Sequence, residues 1–242
     1  MADWYGVVEA RHELQNPTSP AKIRLLAHSL ELGGTSHVLD LGGGRGGPAL
    51  LLAQETGCRI TTVELRPEFA AVARERARTA RLEELVDVIE SDAKNFPIER
   101  GRYDAALCLG ASFAFDGLVP TLHALTEAVP RRRFVAVGEP FWRTWPLPDE
   151  FEPDEGEDFL PLAETVARFE SVGVEVVSLI ASSEDDRDRY ESLHWLALED
   201  WLTANPDDPQ ADEFRGRGRH FRDRYLRWTR DLMGWAIFVC RT

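Results

Sequence analysis

The chain has 242 residues, 43% of them hydrophobic, and 42 acidic against 28 basic side chains give it a formal net charge of −14. That apolar content suffices to bury the core of one α/β domain with an accessory element, while the acidic balance repels a phosphate backbone and argues against a nucleic-acid partner. No apolar run approaches the ~18 residues of a membrane span, and the opening MADWYGVVEARHELQ has neither the basic nor the apolar region of a leader, so the expectation is a cytoplasmic protein with no membrane partner.

Residues 1–14 read as a helix. A second follows the Asn16-Pro17-Thr18-Ser19-Pro20 run, with Ser19 as N-cap and Pro20 as first helical residue. Next, Val38-Leu39-Asp40-Leu41-Gly42-Gly43-Gly44-Arg45-Gly46-Gly47-Pro48 is an apolar strand that breaks into five glycines and restarts as a helix over 49–53. Such a turn brings bare backbone N–H groups and a helix N-terminus against a small ligand, which points to a nucleotide-like cofactor. Gly42, Gly44 and Gly47 satisfy the G-x-G-x-x-G of dinucleotide folds, whereas Asp40, Gly42, Gly44 and Gly46 satisfy a D-x-G-x-G-x-G loop that receives S-adenosylmethionine (SAM). Asp40 favours the second. A pyrophosphate would be repelled by that carboxylate, while phosphate-free, cationic SAM offers it an ammonium.

Residues 59–64 (RITTVE) form a second, β-branched strand closed by Glu64, with Leu65 beside it and Pro67 opening a helix. Glu64 stands where one carboxylate can accept both ribose hydroxyls; the blander reading is a solvated strand-end acid. A third strand ends in Asp92-Ala93, an acceptor for an adenine amino group next to a residue small enough for the flat ring. Residues 103–109 are a buried strand whose end, Leu109-Gly110-Ala111-Ser112, lets a ligand approach the backbone. A fifth strand, 134–137, leads into Gly138-Glu139-Pro140-Phe141-Trp142. Asp158 is expected to cap a helix over 163–171 that Gly173 stops, before a sixth strand over 174–180. Two helical patterns, 190–202 and 211–232, flank the turn Asn205-Pro206-Asp207-Asp208-Pro209, and residues 235–240 make the last strand.

The run Asp40-Leu41-Gly42-Gly43-Gly44-Arg45-Gly46, Glu64, Asp92-Ala93 and the Cys108-Leu109-Gly110-Ala111 strand end resemble the successive cofactor motifs of class I SAM-dependent methyltransferases, over residues 36–180 plus the last strand. Arg11-His12-Glu13, Asn16-Pro17-Thr18-Ser19 and Gly138-Glu139-Pro140-Phe141-Trp142 further resemble a bacterial group of small-molecule-type methyltransferases. The resemblance implies a Rossmann-like α/β fold with a seven-stranded, mostly parallel sheet in the order 3-2-1-4-5-7-6 and helices on both faces. It divides the chain into a helical flap (1–35), a SAM-binding core (36–183), a helical lid inserted between strands 6 and 7 (184–232) and a final core strand (233–242). The implied cofactor is SAM, leaving as S-adenosylhomocysteine (SAH), held by Asp40, Gly42, Gly43, Gly44, Gly46, Glu64, Leu65, Asp92, Ala93, Leu109 and Gly110. The alternatives are a nicotinamide oxidoreductase on the same glycine loop and a non-catalytic SAM-binding protein.

Methyl transfer from a sulfonium is an in-line displacement, so the protein mainly positions, and only a hydroxyl-type acceptor needs a base. Glu139, His12 and His194 are the candidate bases, and Trp142, Tyr190 and Trp195 the candidate walls of a pocket for a small-molecule substrate. Cys58, Cys108 and Cys240 are too scattered for a disulfide framework or a metal-ligand pair, so no metal is expected and each is read as a small buried hydrophobe. Seven arginines within 214–230 and seven acids within 149–158 read as solvated faces, or as two segments that meet across the pocket mouth.

Overall fold

The structure, a computed structural model, describes residues 2–154 and 156–242; Met1 and Glu155, which fall in the expected N-terminal helix and in the acidic run, lie outside the described residues. In chain order the main elements are α1 (Trp4–Val8), α2 (Pro20–Ser29), β1 (His37–Leu41), α3 (Gly47–Thr56), β2 (Arg59–Glu64), α4 (Pro67–Ala80), β3 (Val86–Glu90), β4 (Ala105–Leu109), α5 (Leu118–Ala128), β5 (Phe134–Trp142), α6 (Leu162–Glu170), β6 (Glu175–Ala181), α7 (Glu184–Ala204), α8 (Ala211–Arg224) and β7 (Met233–Arg241). The seven strands form one sheet in the order β3-β2-β1-β4-β5-β7-β6. The first five are parallel, and β7 runs antiparallel to both β5 and β6.

Both faces of the sheet are covered, which is why its central strands read as unbroken apolar runs. One face packs Ile23 and Leu26 of α2, Leu52 of α3 and Ala70 and Ala73 of α4 against Val38, Ile60 and Leu107. The other packs Leu122 and Leu125 of α5 and Phe169 of α6 against Leu39, Val137 and Phe238, with the Phe169 and Phe238 rings stacked 4.6 Å apart. The three cysteines are buried and free. Among the described residues no helix is long and apolar enough to cross a membrane.

Four expected elements differ, each for a physical reason. The helix over 1–14 is only α1, capped by Asp3, whose carboxylate accepts from Gly6 N–H at 2.7 Å; Pro17 disfavours helix at the residue before it, and Gln15 and Asn16 instead dock on the loops after β1 and β4. Strand β5 runs five residues beyond 137 because β7 pairs with it as far as Trp142↔Met233. Its pairing with β4 ends at Leu109↔Gly138, so Pro140, which has no N–H, lies where β5 has lost one neighbour. Asp158 is not a helix cap: α6 begins after Pro161 without a side-chain cap, since Leu160 C=O is drawn into a bond from Trp142 N–H at 2.9 Å. Finally, the pattern over 211–232 is interrupted by a wide-turn stretch, Tyr225–Thr229, whose Thr229 carbonyl, with those of Arg230 and Met233, accepts from the Arg187 guanidinium.

The N-terminal segment and the insertion pack on each other. Val7 and Val8 of α1 share an apolar cluster with Leu198 and Leu202 of α7 and Phe214 of α8. A capping box of Ser183 and Asp186 starts α7, and Lys22 pairs with that Asp186, tying the insertion to α2.

Candidate cofactor and acceptor site

Order β2-β1-β4 makes the C-terminal end of β1 the point where the chain switches direction across the sheet, the place where α/β folds open a crevice. The Gly42 and Gly43 N–H groups both donate to Val63 C=O, at 2.9 and 3.0 Å, which folds the loop across β2. A Cβ on Gly43 would stand 1.7 Å from Thr62 Oγ1, so no side chain is tolerated there. Glu64 then locks the loop: Oε2 accepts from Gly44 N–H at 2.8 Å and Oε1 from Arg66 N–H at 2.9 Å, leaving further lone pairs for a diol. Asp40 is buried, accepts from Thr62 Oγ1 at 2.9 Å, and burial raises its pKa to about 6. Asp92 accepts from Lys94 N–H (2.9 Å) and Asn95 Nδ2 (2.8 Å), which fixes its carboxylate beside Ala93.

These groups enclose a cavity of about 330 Å³. Of the expected cofactor residues, Asp40, Gly42, Gly43, Gly44, Glu64, Leu65, Asp92, Ala93, Leu109 and Gly110 all border it. Gly46 does not. It heads α3 at φ +78°, where a Cβ would lie 3.0 Å from Ala73 Cβ, so its smallness lets α3 and α4 approach.

Two residues of this wall were not among those expected to hold the cofactor. Gln15 Oε1 accepts from Arg45 N–H at 2.6 Å and covers Gly44. Asn16 Nδ2 donates to Leu109 C=O at 3.3 Å, while its Oδ1 is buried with no partner. Asn16 stood in the Asn16-Pro17-Thr18-Ser19 run that carries the second resemblance, but a polar pair before a proline says turn and does not name contacts 30 and 93 residues away in sequence.

A second cavity, of about 610 Å³, shares Gln15, Asn16, Gly110, Phe113 and Tyr190 with the first. Glu139 borders it from the β5 segment that β4 no longer flanks. The residue is 8% exposed, Oε1 has no hydrogen-bond partner, and burial pushes its pKa up to about 7, with the Asp158 charge adding to the shift and the Ser112 hydroxyl and Arg168 opposing it.

The other expected acceptor groups are placed differently. Trp142 is not a pocket wall. Strand alternation turns it away from the Glu139 face, and it is buried edge-on against Phe151 at 5.7 Å and beside Phe159 at 5.5 Å. Trp195 borders a separate cavity of about 370 Å³ between α1, α7 and α8, together with His194; Tyr190 alone of the three borders all the cavities named. His12 is buried, with Nε2 2.9 Å from Tyr190 C=O, and His194 Nε2 lies 3.0 Å from Glu9 Oε1. Neither histidine borders the acceptor cavity. The basic and acidic segments do meet: Arg224 pairs with Asp154 at 3.1 Å and with Glu157, which borders both the acceptor and the outer cavity.

Residues 38–130 match the family model of the methyltransferase domain. A SAM-dependent methyltransferase from Thiobacillus denitrificans, solved in complex with SAH, is 31% identical, with a TM-score of 0.90 over 100% of this chain and 99% of its own. The chain belongs to the class I SAM-dependent methyltransferases. Escherichia coli K12 YjhP is 30% identical over 239 residues, 97% of this chain and 96% of that protein, and its X-ray structure superposes with a TM-score of 0.91. In this chain the sheet position beyond β5, the last parallel strand, is filled by antiparallel β7, where a dinucleotide fold continues with a sixth parallel strand.

Proposed function

We propose that this protein transfers the methyl group of SAM to a small molecule held beside Glu139. The carrying observation is the buried, unpartnered Glu139 oxygen on a cavity that shares Asn16, Gly110 and Tyr190 with the one walled by the glycine loop. In this reading Glu64 accepts the ribose hydroxyls, Asp92 the adenine amino group and Asp40 the ammonium, while Leu65, Ala93, Leu109 and Gly110 line the nucleoside and methionine stem. SAM supplies the activated methyl. The acceptor's lone pair forms the new bond to that methyl carbon, the C–S pair returns to sulfur to give SAH, and the acceptor's proton passes to the Glu139 carboxylate.

A group with a pKa near 7 suits that proton transfer at neutral pH. His12 and His194 are not assigned as bases, because Glu139 alone of the three borders the acceptor cavity. The segment carrying Gln15 and Asn16 and helix α7, which places Tyr190 on both cavities, act as the cover that excludes water. A cavity of about 610 Å³ on a chain of net charge −14 favours a small acceptor over a nucleic acid. Incubation of methyl-labelled SAM with a panel of small hydroxyl and amine acceptors tests this: labelled product and SAH should appear, with kcat falling ~100-fold or more in Glu139→Gln. Binding of SAM with no transfer to any acceptor would instead support the non-catalytic reading.

A further inference from the structure

Glu9 and His12, in the turn after α1, meet His194, in the middle of α7, so that one donor atom of each lies within 4.8 Å of the others. Glu9 and His12 are 6% and 3% exposed. His12 Nε2 sits 2.9 Å from Tyr190 C=O, which can only accept, so that nitrogen carries the N–H. Its Nδ1 then faces Glu9 Oε2 at 3.3 Å, and neither atom has a hydrogen-bond partner although both are buried. On a neutral ring this sets a lone pair against a carboxylate oxygen. Two buried acceptors aimed at each other are costly unless something cationic lies between them.

We propose that Glu9, His12 and His194 bind one divalent transition-metal ion of the zinc type. Two imidazole nitrogens and a carboxylate are donors that such ions accept, and three protein ligands with a fourth position left over is a recurrent zinc arrangement. Two ligands each about 2.1 Å from a tetrahedral ion stand about 3.4 Å apart, close to the 3.3 Å between His12 Nδ1 and Glu9 Oε2. The outer partners that usually orient metal-bound histidines are also present. His12 gives its other N–H to a backbone carbonyl, and Glu191 Oε2 stands 3.7 Å from the far nitrogen of His194. The Tyr190 hydroxyl, 3.2 Å from Glu9 Oε1, holds the carboxylate's second oxygen. The ligands come from segments 182 residues apart, so the spacing rules that led to the expectation of no metal could not reveal the set. An ion here would staple the N-terminal segment, with Tyr5, Gln15 and Asn16 of the cofactor wall, onto α7.

The test uses the tag-free, full-length protein stripped with chelator, with no SAM present, so its outcome is independent of the methyl-transfer reading. Titration with Zn2+ should fill one site per chain with a submicromolar Kd and raise the Tm, and Co2+ in its place should give the intense visible bands of a tetrahedral ion. The Kd should rise at least 100-fold in His12→Gln and in Glu9→Gln, and 10- to 100-fold in the outer variant Glu191→Gln. Should the inner variants fail to fold, X-ray absorption of the zinc-loaded wild type must show two imidazoles and one further oxygen or nitrogen shell at about 2.0–2.2 Å. No tight site, a site that survives loss of His12 and Glu9, or an absorption spectrum with fewer than two imidazoles would overturn the proposal and leave protons as the cations that occupy this cluster.

Discussion

The cofactor wall and the acceptor wall are built on opposite plans. The first is made of strand ends and the loops that follow them, with carboxylates held by backbone N–H groups a few residues away: Glu64 by Arg66, Asp92 by Lys94. The second joins Glu139 on β5 to Asn16 from the N-terminus, Arg168 on α6 and Tyr190 on α7, and the Glu139 carboxyl is left without a partner for Oε1. In the proposed function, strand-end carboxylates anchored by backbone N–H groups suit a constant ligand, whereas the under-satisfied Glu139 carboxyl suits a reacting one.

That contrast can be broken by substitution, and the largest effect belongs to the acceptor wall. Glu139→Gln should lower kcat by ~10²- to 10⁴-fold with SAH affinity unchanged, and the wild-type rate should rise with pH through about 7 while the variant's stays flat; equal loss of SAH binding would move Glu139 to the cofactor side. Glu64→Ala comes next. It removes the acceptor for Gly44 and Arg66 N–H as well as for the ribose, so calorimetry should show SAH affinity reduced ~10- to 100-fold, from the ~1.5–3 kcal/mol of hydrogen bonds to a charged group, together with a lower Tm.

Asp40→Asn sharpens the comparison through pH. The folded pKa of about 6 lies above the ordinary 3.8, so between those values the folded ligand-free protein binds more protons than the unfolded chain, and its stability falls as pH rises from about 4 to about 6. Chemical denaturation across that window should show the slope in the wild type and a smaller one in Asp40→Asn. Asp186 runs the other way: although burial opposes it, Lys22 and Ser183 hold its pKa down to about 2, so its stabilisation is present above about 4 and is lost as pH drops towards 2. The smallest effect on binding is expected at Gly46. Gly46→Ala should cost roughly 1 kcal/mol of stability from its positive φ and crowd Ala73, yet leave SAH affinity within a few-fold; a large loss of affinity would return Gly46 to the wall.

The same division explains what the sequence made legible. The strand order, the glycine turn, Glu64 and Asp92-Ala93 were readable because each signal is local: a strand, an acid and a helix start in register. Gly46 was misplaced because a helix-packing glycine and a ligand-facing one look alike in a G-x-G string. Glu139, picked out by its place after a strand, does border the second cavity, but Trp142 does not, because alternation along β5 continues through a proline, and the strand's length depended on β7, about 90 residues later. The contacts of Gln15 and Asn16, and the meeting of Glu9 and His12 with His194, were beyond any local pattern, since these partners lie from 30 to 185 positions away.

In the proposed function SAM occupies the glycine-loop cavity with its ribose on Glu64. Calorimetric titration of SAH into the wild type and Glu64→Ala, side by side, tests that most directly: one site per chain is expected in the wild type, weakened ~10- to 100-fold in the variant. No measurable heat in the wild type, or identical affinity in both proteins, would contradict it.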